Sequence, residues 1–476
     1  MSSGSSAWSG PRFFCALGFQ GLENFDSFNT RNGPGARQGL PRGVRIYPPP
    51  EAARKRAMES RLLEVYLRWG FQEIVTPTLD YYETVARGLG HQTLGDLFKV
   101  IDRETGELLT LRSDITPQIA HLVATSLRSL PLPLRLCYSG RIYRYVHTQG
   151  RVQQEFHQSG VELVGLESLE ADAEVIAIAV EGLRACGLKE FSLILTHMGF
   201  LREVLEGIEA PADWISAYRS ALGRKDLTSL GRLVNGLDVS SRLRSALLQA
   251  PEWAGGPEVL DRVERALPGR KSREAMKELR TILDMLDVYG VAENLTFDLS
   301  EVRGFNYYTG MVFEVFSPLA GYPICNGGRY DDLVGRFGAP VPATGFAIDV
   351  GGLFETIQRQ EREPSAPLGP DVLLIDFFRR KDRALALARD LRNRGFRVAR
   401  DIIRRTLPAS LKYARATGFR YAVVLGHRKV AAEDARLMNL LRAEETTVKR
   451  AAVAGTLQKW EKKHADRSGH RRPVGG

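Results

Sequence analysis

The stretch from 133 to 165, "PLRLCYSGRIYRYVHTQGRVQQEFHQSGVELVG", constrains the fold more than any other part of the chain. Its two ends, "PLRLCYSGRIYRY" and "EFHQSGVELVG", alternate apolar and polar residues, and the middle, "VHTQGRVQ", is polar. Alternation with period two places one set of side chains on a buried face and the other in water or a cleft. Two such runs joined by a polar loop predict an antiparallel pair. A pair alone is marginal in water and needs further strands or a covering helix. The domain that contains it is therefore expected to be α+β around an antiparallel sheet.

The surroundings supply those elements. In "PRGVRIYPPPEAARKRAMESRLLEVYLRWGF", Met58, Leu62, Val65, Tyr66 and Trp69 recur at helical spacing. "FQEIVTP" reads as a short strand ending at Pro77, and "LFKVIDRETGELLTLRSD" as a hairpin. A helix opens at Thr116 with Pro117 in its first turn. Another runs from about 170 to 185 and stops before Gly187, followed by the strand "FSLILTHMG". From about 205 to 292 the pattern is helical, with no strand candidate, and reads as an insert. Strands resume in "LTFDLSEVRGFNYYTGMVFEVFS", "CNGGRYDDLVGRFG" and "ATGFAIDVGGLFETI".

Residues 358–370, "QRQEREPSAPLGP", read as a linker. Beyond them β and α patterns alternate over 371–465, which predicts a small α/β domain with a largely parallel sheet. Residues 1–40 are rich in Gly, Ser and Asn and are expected to be a disordered extension, and 466–476 form a basic tail. The division expected is thus 1–40, a core over 41–357, the linker, and the α/β domain.

At 476 residues two or three domains are expected. No apolar run approaches the roughly 20 residues that span a bilayer, and the N-terminal stretch lacks the pattern of a signal peptide. Cys15, Cys137, Cys186 and Cys325 form no C-x-x-C pair. That argues against a zinc site or a disulfide framework and fits a reducing cytoplasm. The net charge of +10 raises nucleic acid as a partner, but the basic residues are interleaved with acidic ones.

Three stretches concentrate polar residues on half-buried strands. "LRSDITPQ" holds Asp114 and Thr116; "YRYVHTQGRVQQEFHQSGVE" holds Arg144, Arg151, Gln158 and Glu162; "EVRGFNYYTG" holds Arg303, Asn306, Tyr307 and Tyr308. Singly, a buried Arg or Glu more often belongs to an ion pair, and a strand tyrosine to the core. Together they offer carboxylates for an ammonium, guanidinium groups for an anion and phenols for a polar ring. A desolvated zwitterionic amino acid needs that mixture.

Residues 41–357 resemble the catalytic core of the histidyl-tRNA synthetases, a class II fold. Pro77 matches the proline of the dimer-forming first motif, and "IYRY…GRVQQEFHQSGVELVG" resembles the second motif. "VRGFNYYTGMVFE" is close to the histidine-specific signature. The insert and the C-terminal domain stand where that family has its insertion and its anticodon-binding domain. The resemblance implies that Asp114 and Thr116 hold the ammonium of histidine, and that Gln158 and Glu162 complete the pocket. Tyr307 and Tyr308 would frame the imidazole, and Arg303 would lie near the carboxylate. Arg144, whose family counterpart contacts the ATP α-phosphate, is grouped with this histidine-binding set.

The pattern departs from a working synthetase on the nucleotide side. In "GFAIDVGGLFE", Gly351 and Gly352 stand where Glu and the arginine that clamps the ATP γ-phosphate are expected. Val146 replaces a glutamate after Tyr145, and Asn306 replaces an aspartate. A lost charge-assisted contact of this kind costs on the order of 1.5–3 kcal/mol. This selective loss resembles the ATP phosphoribosyltransferase regulatory subunits, paralogues of histidyl-tRNA synthetase, and "LLQAPEWAGGPEVLDRVERAL" resembles their insert.

That resemblance implies no catalysis and no cofactor. It implies partnership with a short-form catalytic ATP phosphoribosyltransferase, free histidine as a feedback ligand, and self-dimerisation around Pro77 within a hetero-octamer. Many members stop after the core, whereas this chain continues. A divergent active histidine–tRNA ligase therefore stays open as the alternative, and tRNA is not the expected partner.

Overall fold

The computed structural model describes residues 40–89, 91–148, 151–198, 200, 204–205, 208, 210–267, 269–300, 308–361 and 371–468. Arg303, Asn306 and Tyr307 lie outside the described residues, as do the expected extension (except Leu40) and most of the linker. Two compact units divide between Pro364 and Ser365, the smaller also taking in Ile46–Pro50.

In the larger unit, α1 (Pro49–Arg68) buries Met58, Leu62, Val65 and Tyr66, the stripe that the spacing predicts. β1 (Gln72–Glu73) pairs parallel with β5 (Leu134–Thr148). The expected strand "FQEIVTP" is therefore shorter than its pattern: after Ile74 N donates to Cys137 O, the chain leaves the sheet toward Pro77. β2 (Leu79–Tyr81), β3 (Lys99–Ile101) and β4 (Leu108–Leu111) form a small sheet in the order β2-β4-β3. Between β2 and β3 lies α2 (Tyr82–Gly88), and after β4 comes α3 (Thr116–Ala124).

β5 pairs antiparallel with β6 (Arg151–Val164) along nearly its whole length, with an irregularity between Tyr143 and Val146. The polar segment expected as a loop is mostly strand: Val146 faces Gln153, His147 faces Val152 and Thr148 faces Arg151. Strand pairing needs only backbone partners, so a largely polar sequence can still extend a hairpin.

α4 (Leu169–Cys186) packs across this sheet, with Ser168 capping its start and Gly187 at φ +100 closing its end. The sheet is completed by β7 (Ser192–His197), β8 (Ala254–Gly255), β9 (Leu295–Asp298), β10 (Met311–Phe316), β11 (Pro323–Arg329) and β12 (Ala343–Asp349). Its order is β1-β5-β6-β12-β11-β10-β7-β9-β8. β9 and β10 lie on opposite sides of β7, so "LTFDLSEVRGFNYYTGMVFEVFS" is two strands in different places, not one. The alternation on each side was legible; the crossover between them was not. α10 (Asp332–Gly335) follows β11, and α11 (Val350–Gln360) follows β12.

The insert comprises α5 (Ala212–Gly223), α6 (Leu227–Asn235), α7 (Ser241–Gln249), α8 (Glu258–Ala266) and α9 (Arg270–Val288). It is not purely helical. β8 lies within it, paired with β9 through Ala254–Asp298 and Gly255–Phe297. Two residues are too few to show a period.

In the smaller unit, β13 (Val372–Asp376), α12 (Asp382–Asn393), β14 (Val398–Arg400), α13 (Leu407–Ala416) and β15 (Tyr421–Leu425) alternate as expected. β16 (Asp434–Asn439), β17 (Glu444–Lys449) and α14 (Val453–Ser468) follow, and the sheet order is β14-β13-β15-β16-β17. β13 pairs parallel with β14 and β15, but the other two pairings are antiparallel, so the sheet is mixed rather than largely parallel. "EETTVK" in β17 carries no apolar stripe to reveal an edge strand. Residues 466–468 of the expected tail end α14, and the remainder lies outside the described residues.

Candidate functional site

The site is built from α3, β5, β6 and the segment after β11. On β6, Gln158, Gly160 and Glu162 alternate onto one face. The Thr116 hydroxyl opens α3, but the N-cap, Ile115, offers no side-chain acceptor. Instead Thr116 Oγ1 donates to Glu162 Oε1 at 2.6 Å, and its backbone N–H donates to Asp114 Oδ1 at 3.2 Å. The Tyr330 hydroxyl donates to the other Glu162 oxygen.

Glu162 is 1% exposed. Burial pushes its carboxyl up to about 8, against the hydrogen bonds from Thr116 and Tyr330, and the Asp114 carboxylate raises it further. Burial likewise pushes the phenols of Tyr138 and Tyr308 well above their ordinary range, aided by Glu162 and Asp114. Gln158 is buried, and its Oε1 has no hydrogen-bond partner among the described residues. Buried polar atoms are normally satisfied, so an unsatisfied acceptor marks a place where a ligand donor fits.

Asp114, Thr116, Glu162 and Tyr308 are thus in mutual electrostatic or hydrogen-bond range, with Gln158 on the same strand face as Glu162. Arg144 lies further along the hairpin: its guanidinium sits over the Phe156 ring at 5.2 Å, and its Nε has no partner among the described residues. Arg151 pairs with Thr148 at the hairpin tip. Sequence reasoning missed Tyr330 and Tyr138. Tyr330 stands in "NGGRYDD", beside a pair of glycines, and Tyr138 lies opposite Gly160 in the β5–β6 register. A tyrosine facing a glycine across two strands was the available signal.

The glycines set the floor of the site. A Cβ on Gly345 of β12 would lie 2.0 Å from Glu162 Oε2, so a side chain there and the Glu162 carboxyl exclude each other. Gly352, in the first turn of α11, is buried. A Cβ there would lie 2.9 Å from Asp349 Oδ2 and 3.0 Å from both Cε2 and Oη of Tyr322. Asp349 is itself committed as the helix cap, accepting from Gly351 N at 3.1 Å.

The chemistry available is recognition by charge and hydrogen bonding. A carboxyl that titrates near neutrality, flanked by phenols, suits a ring bearing both a donor and an acceptor nitrogen. The half-buried Asp114 suits an ammonium.

By fold and site the larger unit is a class II synthetase-like core. The family model for histidyl-tRNA synthetase matches residues 43–353, and that for the anticodon-binding domain matches 368–460. The ATP phosphoribosyltransferase regulatory subunit of Syntrophotalea carbinolica is 40% identical over 415 residues, covering 87% of this chain and 96% of its own. A solved structure from Bacillus halodurans, an ATP phosphoribosyltransferase regulatory subunit/histidyl-tRNA synthetase, is 32% identical with a TM-score of 0.70, over 79% of this chain and 96% of that one. Histidyl-tRNA synthetase from Nostoc shares the fold at TM-score 0.75 and 22% identity, over 89% of this chain and all of that one. The chain belongs to the ATP phosphoribosyltransferase regulatory subunit family.

Proposed function

We propose that this chain is the non-catalytic regulatory subunit of an ATP phosphoribosyltransferase, required by a short catalytic subunit and carrying histidine feedback on the first step of histidine biosynthesis. The observation that carries this reading is the surroundings of Gly352. An active synthetase of this fold is expected to hold the ATP γ-phosphate with an arginine there. Beside Gly352 stand the Tyr322 ring and the Asp349 carboxylate, which a Cβ at 352 would already crowd, so a side chain there requires both to shift. The amino-acid half keeps the Asp114, Thr116 and Glu162 network.

Histidine binds in that half, with its ammonium toward Asp114 and Thr116 and its imidazole toward Glu162 and Tyr308. Tyr307 and Arg303, which lie outside the described residues, are assigned to the imidazole and the carboxylate by the family resemblance alone. Gln158 and Arg144 complete the set. Feedback requires that histidine bind one arrangement of the complex better than the other. The chain pairs with a second copy through the sheet near Pro77, within a hetero-octamer. Leu79, Tyr81, Val100, Ile101 and Leu108 of that sheet are exposed, as is Val75 beside it.

The match of residues 368–460 to an anticodon-binding domain favours one second reading, a divergent histidine–tRNA ligase. Histidine-dependent ATP–pyrophosphate exchange separates the two. The expected result is no exchange by the chain alone, together with histidine-sensitive activation of a short catalytic phosphoribosyltransferase. Robust exchange would overturn the regulatory reading.

A further inference from the structure

In the smaller unit the parallel strands β14, β13 and β15 all end on one edge of the sheet. α12 and α14 pack on one face with Val372 and Leu374, and α13 on the other with Leu373 and Ile375. The chain runs from β13 outward to β14, then back across β13 to β15, so the connections change direction at β13. In open α/β sheets, ligands bind outside the carboxyl ends of the strands at such a reversal.

Three loops leave that edge: "FFRRKDR" (377–383), "DIIRR" (401–405) and "GHRKV" (426–430). They are tied to one another. Phe377 N donates to Leu425 O at 3.0 Å, and Asp401 N to Leu374 O at 2.9 Å. The Phe377 and His427 rings meet edge to face at 5.3 Å. Gly426 has φ +66, and a Cβ there would lie 2.9 Å from the Phe378 ring, so the first and third loops touch.

Some of the basic residues are already committed. Lys381 pairs with Asp376, Arg383 with Glu433, and Arg405 with Asp401. Arg379, Arg404, Arg428 and Lys429 are exposed and have no ion-pair partner among the described residues. The Phe377 ring is 37% exposed beside them. α12 starts in the same loop with no side chain capping its first N–H groups, which adds a favourable dipole for an anion.

We propose that this edge binds a small phosphorylated nucleotide. Arg379 and Arg428 take the phosphates as charge-assisted donors, and Phe377 stacks on the base. A polynucleotide would need a longer basic track with successive aromatic platforms. Here the uncommitted cations stand on three loops at one end of the sheet, and the tied first and third loops carry one exposed ring. This site shares no residue with the histidine-binding set and does not depend on the regulatory reading.

Calorimetric titration of the full chain with ATP, tripolyphosphate and a single-stranded RNA dodecamer tests it, with thermal melts as the folding control. The Arg379→Ser/Arg428→Ser variant should weaken ATP about tenfold and Phe377→Ser about fivefold, with melting unchanged, because all three side chains are surface groups. Tripolyphosphate should bind more weakly than ATP and ignore Phe377→Ser. The proposal is overturned if ATP does not bind, or if neither variant affects it. It is also overturned if tripolyphosphate binds as tightly as ATP, or if the dodecamer binds more tightly than ATP with the same arginine dependence.

Discussion

Glu162 holds a proton that most carboxyls would release. Its folded value of about 8 lies above the ordinary 4.5 because burial disfavours the charged form. Below about pH 4.5 the folded and unfolded chains both carry the proton, and the contribution to stability is complete. As pH rises from there toward 8 the unfolded chain releases it first, so stability falls, and above about 8 the loss levels off. Glu162→Gln should flatten this slope: urea midpoints measured at pH 5 and pH 8 should differ less in the variant than in the wild type. Asp114→Ala should act elsewhere. It should weaken histidine inhibition of the activated phosphoribosyltransferase by about tenfold while leaving activation intact. Loss of activation instead would place Asp114 in the partner contact.

At the scale of elements, α1 is held to the sheet by a polar strut as well as by its apolar stripe. His157 of β6 is half-buried, with Nδ1 3.1 Å from Lys55 Nζ and Nε2 2.8 Å from Ser139 Oγ. Burial, with Lys55 beside it, pushes His157 down to about 4 from the ordinary 6.5. A depressed value means that its contribution is complete above about pH 6.5 and is lost as pH falls toward 4. His157→Gln should lower stability at neutral pH but reduce its decline between pH 6.5 and 4, as followed by circular dichroism. None of this strut was legible beforehand. His157 sits on the face of β6 opposite Glu162, and alternation alone gives two faces without saying what covers each. The Thr116–Glu162 contact was half legible: both residues were marked, but their hydrogen bond depends on α3 packing over β6. The Glu162 carboxyl also needs the space that Gly345 leaves beside it, a requirement no period reveals.

At the scale of the whole molecule, the order of elements and the paired long strands were readable from alternation, helical spacing and the Pro-rich linker. What was not readable follows from the same physics. β8 is two residues long and β17 carries no apolar stripe, and the strands at the two ends of "LTFDLSEVRGFNYYTGMVFEVFS" flank a strand that lies about a hundred residues earlier in the chain. In and beside the small sheet β2-β4-β3, Ile101 is 68% and Val75 83% exposed. Exposed apolar side chains are costly in water, and the proposed pairing would cover them. Val75→Glu/Ile101→Glu should shift the chain from dimer to monomer in sedimentation velocity without loss of helix signal. A monomeric wild type would refute the pairing. Among the described residues no helix is long and apolar enough to cross a membrane.

The ring of Tyr322 beside Gly352 also bears on how the sequence can change. An arginine introduced at 352 would bring its Cβ to 2.9 Å from Asp349 Oδ2 and 3.0 Å from the Tyr322 ring, so the change costs stability unless those two side chains move. Asp349 caps α11 through the Gly351 N–H, so moving it would also loosen the start of that helix. Position 352 is therefore coupled to 322 and 349, and the three change most easily together.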